Sequence, residues 1–239
     1  DFLEENGIQM IEEVAQITPN FNISASGQPA NNRIQIRGIG AAGNNAIEPS
    51  VGVFIDGVYY PRPGSVIGLL NDIQSFEVLR GPQGTLFGRN TVAGALNITT
   101  HNPHHESEGM IELGVGDYDA WEVGAMLNGS LSDSVAARVA FKYADRDGYG
   151  ENAYDGKDFG ARDDLVARGK LLFDFNDQFS MLVTADYAEI NSRGPGHEVI
   201  NSTNTPTFEA RTTALFGSSP ATKDSYDWKI NQIHEDEFE

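Results

Sequence analysis

From residue 108 onward the apolar residues fall on every second position. Ile111, Leu113 and Val115 alternate with polar or small residues, as do Trp121, Val123, Ala125, Leu127 and Leu131. Val135, Ala137, Val139, Phe141 and Tyr143 alternate with Arg138 and Lys142. Leu165, Ala167, Leu171, Phe173 and Phe175 alternate with Arg168, Lys170 and Asp174. Phe179, Met181, Val183, Ala185 and Tyr187 alternate with Thr184 and Asp186. Period-two patterning over segments of roughly ten residues predicts five β-strands, each long enough to cross a bilayer when tilted. Tyr118, Trp121, Tyr143 and Tyr187 stand near strand ends, where an aromatic girdle would lie.

The connections carry an independent signal. Those at 132–134 and 176–177 are tight, whereas 144–163 and the stretch from 191 are long. Short turns at one end and long loops at the other are the asymmetry of an outer-membrane barrel. A soluble β-sandwich shares the alternation but not this loop parity. Five strands cannot close a barrel wide enough to hold a folded body, which takes about 22. The chain is therefore expected to be part of a longer protein.

The first hundred residues follow another pattern. Residues 7–18 predict a short amphipathic helix, with Ile8, Ile11 and Ala15 on one face and Pro19 as its stop. Glu4 and Glu5 suit its N-terminus. Arg33–Ile36 and Val51–Ile55 predict strands, and 65–72 a second helix with Ser65 as N-cap. This is a small α+β unit with long Gly/Asn loops. Its apolar content is thin for a free-standing domain of that size, though a body housed in a polar lumen would need no more.

Charge and composition narrow the field. The chain has 35 acids against 16 bases, a net charge of −19, which argues against a nucleic-acid partner. The acidity is concentrated after residue 105. Cysteine is absent, so neither a disulfide framework nor a thiolate metal site is possible. No apolar run approaches the roughly 20 residues of a membrane helix, so any crossing must be by strands. Asp1 is preceded by no apolar leader, so a signal peptide is expected to have been removed or to lie outside this sequence.

Residues 77–100, EVLRGPQGTLFGRNTVAGALNITT, start and end like strands, with Gly81, Pro82, Gly84, Gly88 and Gly94 between. Arg80 and Arg89 are set among these glycines, and an arginine buried there would demand a carboxylate. With the upstream IQIRGIG (34–40) and VGVFIDGVYYPR (51–62), this run resembles the plug domain of TonB-dependent outer-membrane receptors. The three blocks come in that family's order and spacing. The resemblance covers residues 1–105 as plug and linker. It makes 106–239 the first strands and extracellular loops of an incomplete antiparallel transmembrane β-barrel.

The resemblance implies energy-coupled import of a scarce ligand across the outer membrane, most often a ferric siderophore, with cobalamin or a glycan as alternatives. It implies no catalysis, resident cofactor or metal. The implied partners are a TonB-type energy-transducing complex, outer-membrane lipid and a small-molecule ligand. The TonB-contacting box and the remaining strands are expected beyond this sequence. Arg37 and Arg80 match family positions whose arginines pair with glutamates of the barrel wall. Asn44, Asn45, Tyr60 and Arg62 match the plug apices that face ligand, with Tyr60 preferred over Tyr59. Gly38, Gly40, Gly57, Gly81, Gly84, Gly88 and Gly94 are the motif glycines.

Several motifs suggest other chemistry. Gly38, Gly40 and Gly43 spell G-x-G-x-x-G after a strand, and Asp56 follows where a dinucleotide fold places its ribose-binding acid. Only residues 44–50, with Pro49, separate Gly43 from the next strand, so no helix fits there to bind a pyrophosphate. The 84–91 run has Arg89 where a phosphate loop requires lysine. His101, His104 and His105 cluster on a Pro-containing linker, which predicts a solvated hinge and not a metal site. The acids of 145–158 break the calcium-loop pattern at Tyr149. A passive porin-like or adhesive barrel lacks a folded plug, so residues 1–103 argue against it.

Overall fold

The computed structural model describes residues 8, 10–24, 33–40, 48–61, 70–151, 158–176 and 178–192. At the centre of the N-terminal body, the plug, β3 (Val51–Ile55) runs parallel to β6 (Gly94–Thr100). β4 (Val58–Tyr60) and β5 (Ile73–Arg80) flank them antiparallel, in the order β4-β3-β6-β5. A central parallel pair is covered on both faces, which is why β3 is a continuous apolar run instead of an alternating one. Helix α1 (Ile11–Ile17) and the hairpin of β1 (Phe21–Ser24) and β2 (Arg33–Ile36) complete the core. Ile11, Phe21, Ile34 and Ile36 pack there with Val51, Val53, Leu96 and Ile98.

The first helix is shorter than the residues 7–18 expected. Its start is set by the Glu13 carboxylate, which accepts the Met10 N–H at 3.1 Å. Of the second expected helix, 65–69 lie outside the described residues and Leu70–Asp72 are not helical. Asp72 stands at φ 55, a left-handed conformation that ends any right-handed helix. A single helical turn, α2 (Gly84–Phe87), lies within the glycine-rich run between the two strands.

The second body, the wall, is one antiparallel sheet in the order β13-β12-β9-β8-β7. Its strands are β7 (Glu108–Val115), β8 (Trp121–Ser132), β9 (Val135–Arg146), β12 (Arg162–Asn176) and β13 (Phe179–Ser192). A two-residue ladder of β10 (Gly150–Glu151) and β11 (Asp158–Phe159) stiffens the base of the long third connection. Tyr149 packs edge-on against Phe159 beside it.

Burial along the wall strands inverts the rule for soluble sheets. On β8 and β9, Leu127 is 71% exposed and Val139 56%, while Arg138 is 4% exposed and Lys142 buried. Apolar side chains thus face outward and cations face the plug, the polarity of a membrane barrel and not of a sandwich core. Aromatic residues mark two levels on the outer face. Trp121 and Tyr143 meet at 5.0 Å near one end, and Phe173, Phe175 and Phe179 stack at the other. Leu165, paired with Tyr143, is ten residues from Phe175, about 34 Å along the strand or roughly 25 Å along a barrel axis at 40° tilt. That matches the height of an outer-membrane apolar band.

Both tight turns lie at the same end. Phe173 pairs with Val135, and the Asp174 N–H donates to the Ser134 carbonyl at 2.8 Å, which sets the turn after β8 beside the turn after β12. The linker from the plug enters at that end, since His105 contacts both Ser130 and Asp174. At the far end, the Asp147 N–H donates to the Tyr118 carbonyl, joining the connection after β9 to the short one between β7 and β8.

Candidate functional site

Two acids of the plug project into the wall from turns. Asp56 and Gly57 form the two-residue turn between β3 and β4, with φ of 49° and 79°, the left-handed geometry that Asp-Gly supplies in a tight hairpin. The Asp56 carboxylate accepts the Thr100 N–H at 2.8 Å and the Thr100 hydroxyl at 2.6 Å. It also faces the Lys170 ammonium on β12 at 3.0 Å. Burial acts to raise its pKa, but the two Thr100 hydrogen bonds and the ammonium together outweigh it and hold the carboxyl below its ordinary value.

Asp72, just before β5, forks onto Arg138 of β9. Nε donates to Oδ2 at 2.8 Å and Nη2 to Oδ1 at 2.6 Å, a bidentate pair with both side chains buried. The third guanidinium nitrogen, Nη1, donates to Glu108 of β7 at 3.1 Å. Beside this pair, Arg168 Nη1 donates to the Asn71 carbonyl at 3.0 Å, and Asn71 Nδ2 to the Ala140 carbonyl at 3.4 Å. A cavity of about 210 Å³ runs along the seam between Asp72, Arg138, Lys142 and Met126, room for several waters. Nearer the far end, Glu12 of α1 lies within electrostatic reach of Arg162. Burial pushes its carboxyl up, and its own backbone hydrogen bond and Arg162 oppose that.

The linker is pinned and is not the solvated hinge expected from its histidines. Asn128, buried on β8, donates to the His104 and Glu106 carbonyls at 3.0 and 2.8 Å and accepts the His104 N–H at 3.2 Å. His104 also reaches Glu108, and His105 bridges Ser130 and Asp174. Among the described residues no group of three or more His, Asp or Glu is placed to hold a metal ion.

The structure describes some of the residues expected to form the site. Arg37 and Arg80 are exposed and, among the described residues, not ion-paired. Arg37 Nη1 stands 3.9 Å from where a Cβ on Gly81 would be, so the two arginine motifs share one corner of the plug. Arg89 is exposed as well, 3.9 Å from Glu48, and not buried among the glycines. Tyr60 pairs with fully buried Val53 and packs against the core. Tyr59 instead packs at a tilt against Phe54 and accepts a hydrogen bond from Asn90. Strand alternation thus turns Tyr60, the tyrosine expected to meet ligand, toward the core. Asn44, Asn45 and Arg62 lie outside the described residues. Gly38, Gly57, Gly81 and Gly88 hold left-handed backbone, a Cβ on Gly40 or Gly94 would collide with neighbouring backbone, and one on Gly84 would meet nothing.

Asp56 and Asp72 were missed as plug anchors. In the sequence Asp56 stands out only as the acid of a dinucleotide motif, whereas its carboxylate is committed to Thr100 and Lys170. The available signal was the run of cations at alternate wall positions, which require carboxylates from whatever fills the lumen.

Residues 1–95 match the TonB-dependent receptor plug domain family. The pesticin receptor of Yersinia pestis is 34% identical over 134 residues, 56% of this chain and 20% of that receptor. The ferripyoverdine receptor of Pseudomonas aeruginosa is 26% identical over 205 residues, 81% of this chain and 23% of that receptor. The crystal structure of the ferric yersiniabactin uptake receptor of Yersinia pestis superposes with a TM-score of 0.71 at 31% identity, covering 77% of this chain and 29% of that one. The chain spans about a fifth to a quarter of the length of the curated relatives it matches. Matching plug motifs, a wall with its apolar face outward and its cations inward, and this superposition converge: residues 1–95 belong to the TonB-dependent receptor plug domain family, and the strands after them are similar to the barrel wall of an outer-membrane receptor.

Proposed function

We propose that the whole protein imports a ferric siderophore across the outer membrane, driven by a TonB-type energy-transducing complex. The observation that carries this is the way the plug is held. Its described contacts with the wall include two acid–base pairs and a set of hydrogen bonds alongside a seam with room for several waters, where a permanent stopper would be sealed by packed apolar side chains. Polar contacts of this kind exchange with water, so a pull from one side can release them at modest cost. The names of the relatives, receptors for ferripyoverdine and ferric yersiniabactin, support an iron chelate as cargo. The protein is read as a transporter and not an enzyme.

Ligand is proposed to meet the plug at its apices, through Asn44, Asn45 and Arg62. Tyr59 joins them in preference to Tyr60, whose ring the core occupies. Arg37 and Arg80 are proposed to face wall glutamates on strands beyond this chain. The test is uptake of radiolabelled iron from a panel of ferric siderophores by cells producing the full receptor, with and without the energy-transducing complex. One chelate should be accumulated only when the complex is active. Uptake that persists without the complex would overturn the reading in favour of a passive pore. Replacing Asn44, Tyr59 and Arg62 together should then abolish binding of that chelate, and intact binding would remove them from the site.

A further inference from the structure

Lys170 and Arg138 are directly opposite one another in the β12–β9 ladder, and both side chains point into the lumen. Two like charges in that position repel, and both are almost fully withdrawn from water, at 2% and 4% exposed. Each is met by its own carboxylate, Asp56 on Lys170 and Asp72 on Arg138, and both carboxylates come from the plug. The other oxygens on Lys170, from Thr100 and Asn102, also belong to the plug and its linker. Among the described residues the wall itself supplies a single carboxylate to the pair, Glu108 on Arg138.

We propose that Lys170 and Arg138 form an anion-binding pair on the barrel wall, filled by the plug's own Asp56 and Asp72 while the plug is seated. When the plug moves, the pair is left with one wall carboxylate for two cations and takes a carboxylate or similar anionic group of the cargo. The chemistry is specific. A guanidinium fork accepts two oxygens of one planar group, and a neighbouring ammonium adds a point charge. The ligand class is an anionic chelate that presents a free carboxylate. The proposal borrows from the import reading only the movement of the plug.

Occupancy of the pair can be tested without transport. Asp56→Gly and Asp72→Gly vacate both positions without straining backbones at φ 49 and 55, whereas Asp56→Asn and Asp72→Asn remove the charge and keep the space filled. Thermal unfolding of the plug in the full receptor is followed in formate and in acetate, against chloride at equal ionic strength. The double glycine variant should gain a few degrees, saturably, in either carboxylate. The asparagine pair and the natural protein should gain nothing beyond chloride, and adding Lys170→Met should erase most of the gain. Absence of a carboxylate-specific gain, or the same gain with Lys170→Met, overturns the proposal. Should the double variant lose its plug in chloride, recovery of a protease-resistant plug in acetate supports the pair and failure to recover it counts against. Because no uptake is measured, this result and that of the iron-uptake assay can fail separately.

Discussion

Replacing Asp72 by Asn tests most directly what holds the plug in the wall. Asparagine tolerates the left-handed backbone at φ 55 and keeps the side-chain volume, so the change removes charge and one acceptor with little else. Breaking a buried ion pair from one side typically costs about 3–5 kcal/mol, because the remaining charge stays buried. Here Arg138 keeps Glu108 at 3.1 Å, and that carboxylate is half exposed, so the lower end of the range, about 3 kcal/mol, is expected. At about 1.4 kcal/mol per tenfold, that raises the population of loosened plug by roughly a hundredfold. The assay is conductance of the full receptor in a planar bilayer, with plug unfolding measured in parallel. A double-mutant cycle with Arg138→Gln isolates the pair, and a coupling of about 2 kcal/mol or more is expected. Replacing the pair together by Leu and Met should be far milder than either single change, since an apolar pair leaves no charge buried. A coupling under about 0.5 kcal/mol would refute the reasoning, because that is the worth of an exposed surface pair.

Three further outcomes follow from the same contacts. Asp56 is held below the ordinary aspartate value of 3.8, so its contribution is complete above that value and is lost as pH falls through the lower, folded one. Plug unfolding should therefore be insensitive to Asp56→Asn in its pH slope at neutrality, while the variant flattens the acid limb below the ordinary value. Asn128→Ala removes three hydrogen bonds that pin the linker and should raise hydrogen exchange of 104–106 at least tenfold while leaving the wall strands protected. Replacing Arg37 and Arg80 by Gln in the full receptor should raise leak of small solutes if wall glutamates lie opposite them, and an unchanged leak would return both to the role of surface residues.

The wall was legible in the chain because a pleated strand sends successive side chains to opposite faces. Once Val139 and Phe141 are apolar and Arg138 and Lys142 are charged, the sheet has an oily side and a wet side wherever it sits. Loop lengths then assign its two ends, since tight turns at 132–134 and 176–177 must fall together when consecutive strands are antiparallel. The plug was legible through glycines whose backbone no other residue adopts easily, such as the Asp56-Gly57 turn. What alternation leaves open is the identity of each charge's partner. Asp72 and Arg138 are 66 residues apart, and neither strand pattern nor turn chemistry relates them. Arg37 and Arg80 look more like anchors in the sequence than Asp56 and Asp72 do, yet they stand exposed beside these five strands. Which plug residue meets which wall cation depends on how a rigid core seats in a lumen, and that is decided by packing of Ile11, Ile36, Val53 and Leu96. That core orients the turns carrying the two acids. Coulomb attraction is then strongest for the groups that tertiary structure has already brought within about 4 Å.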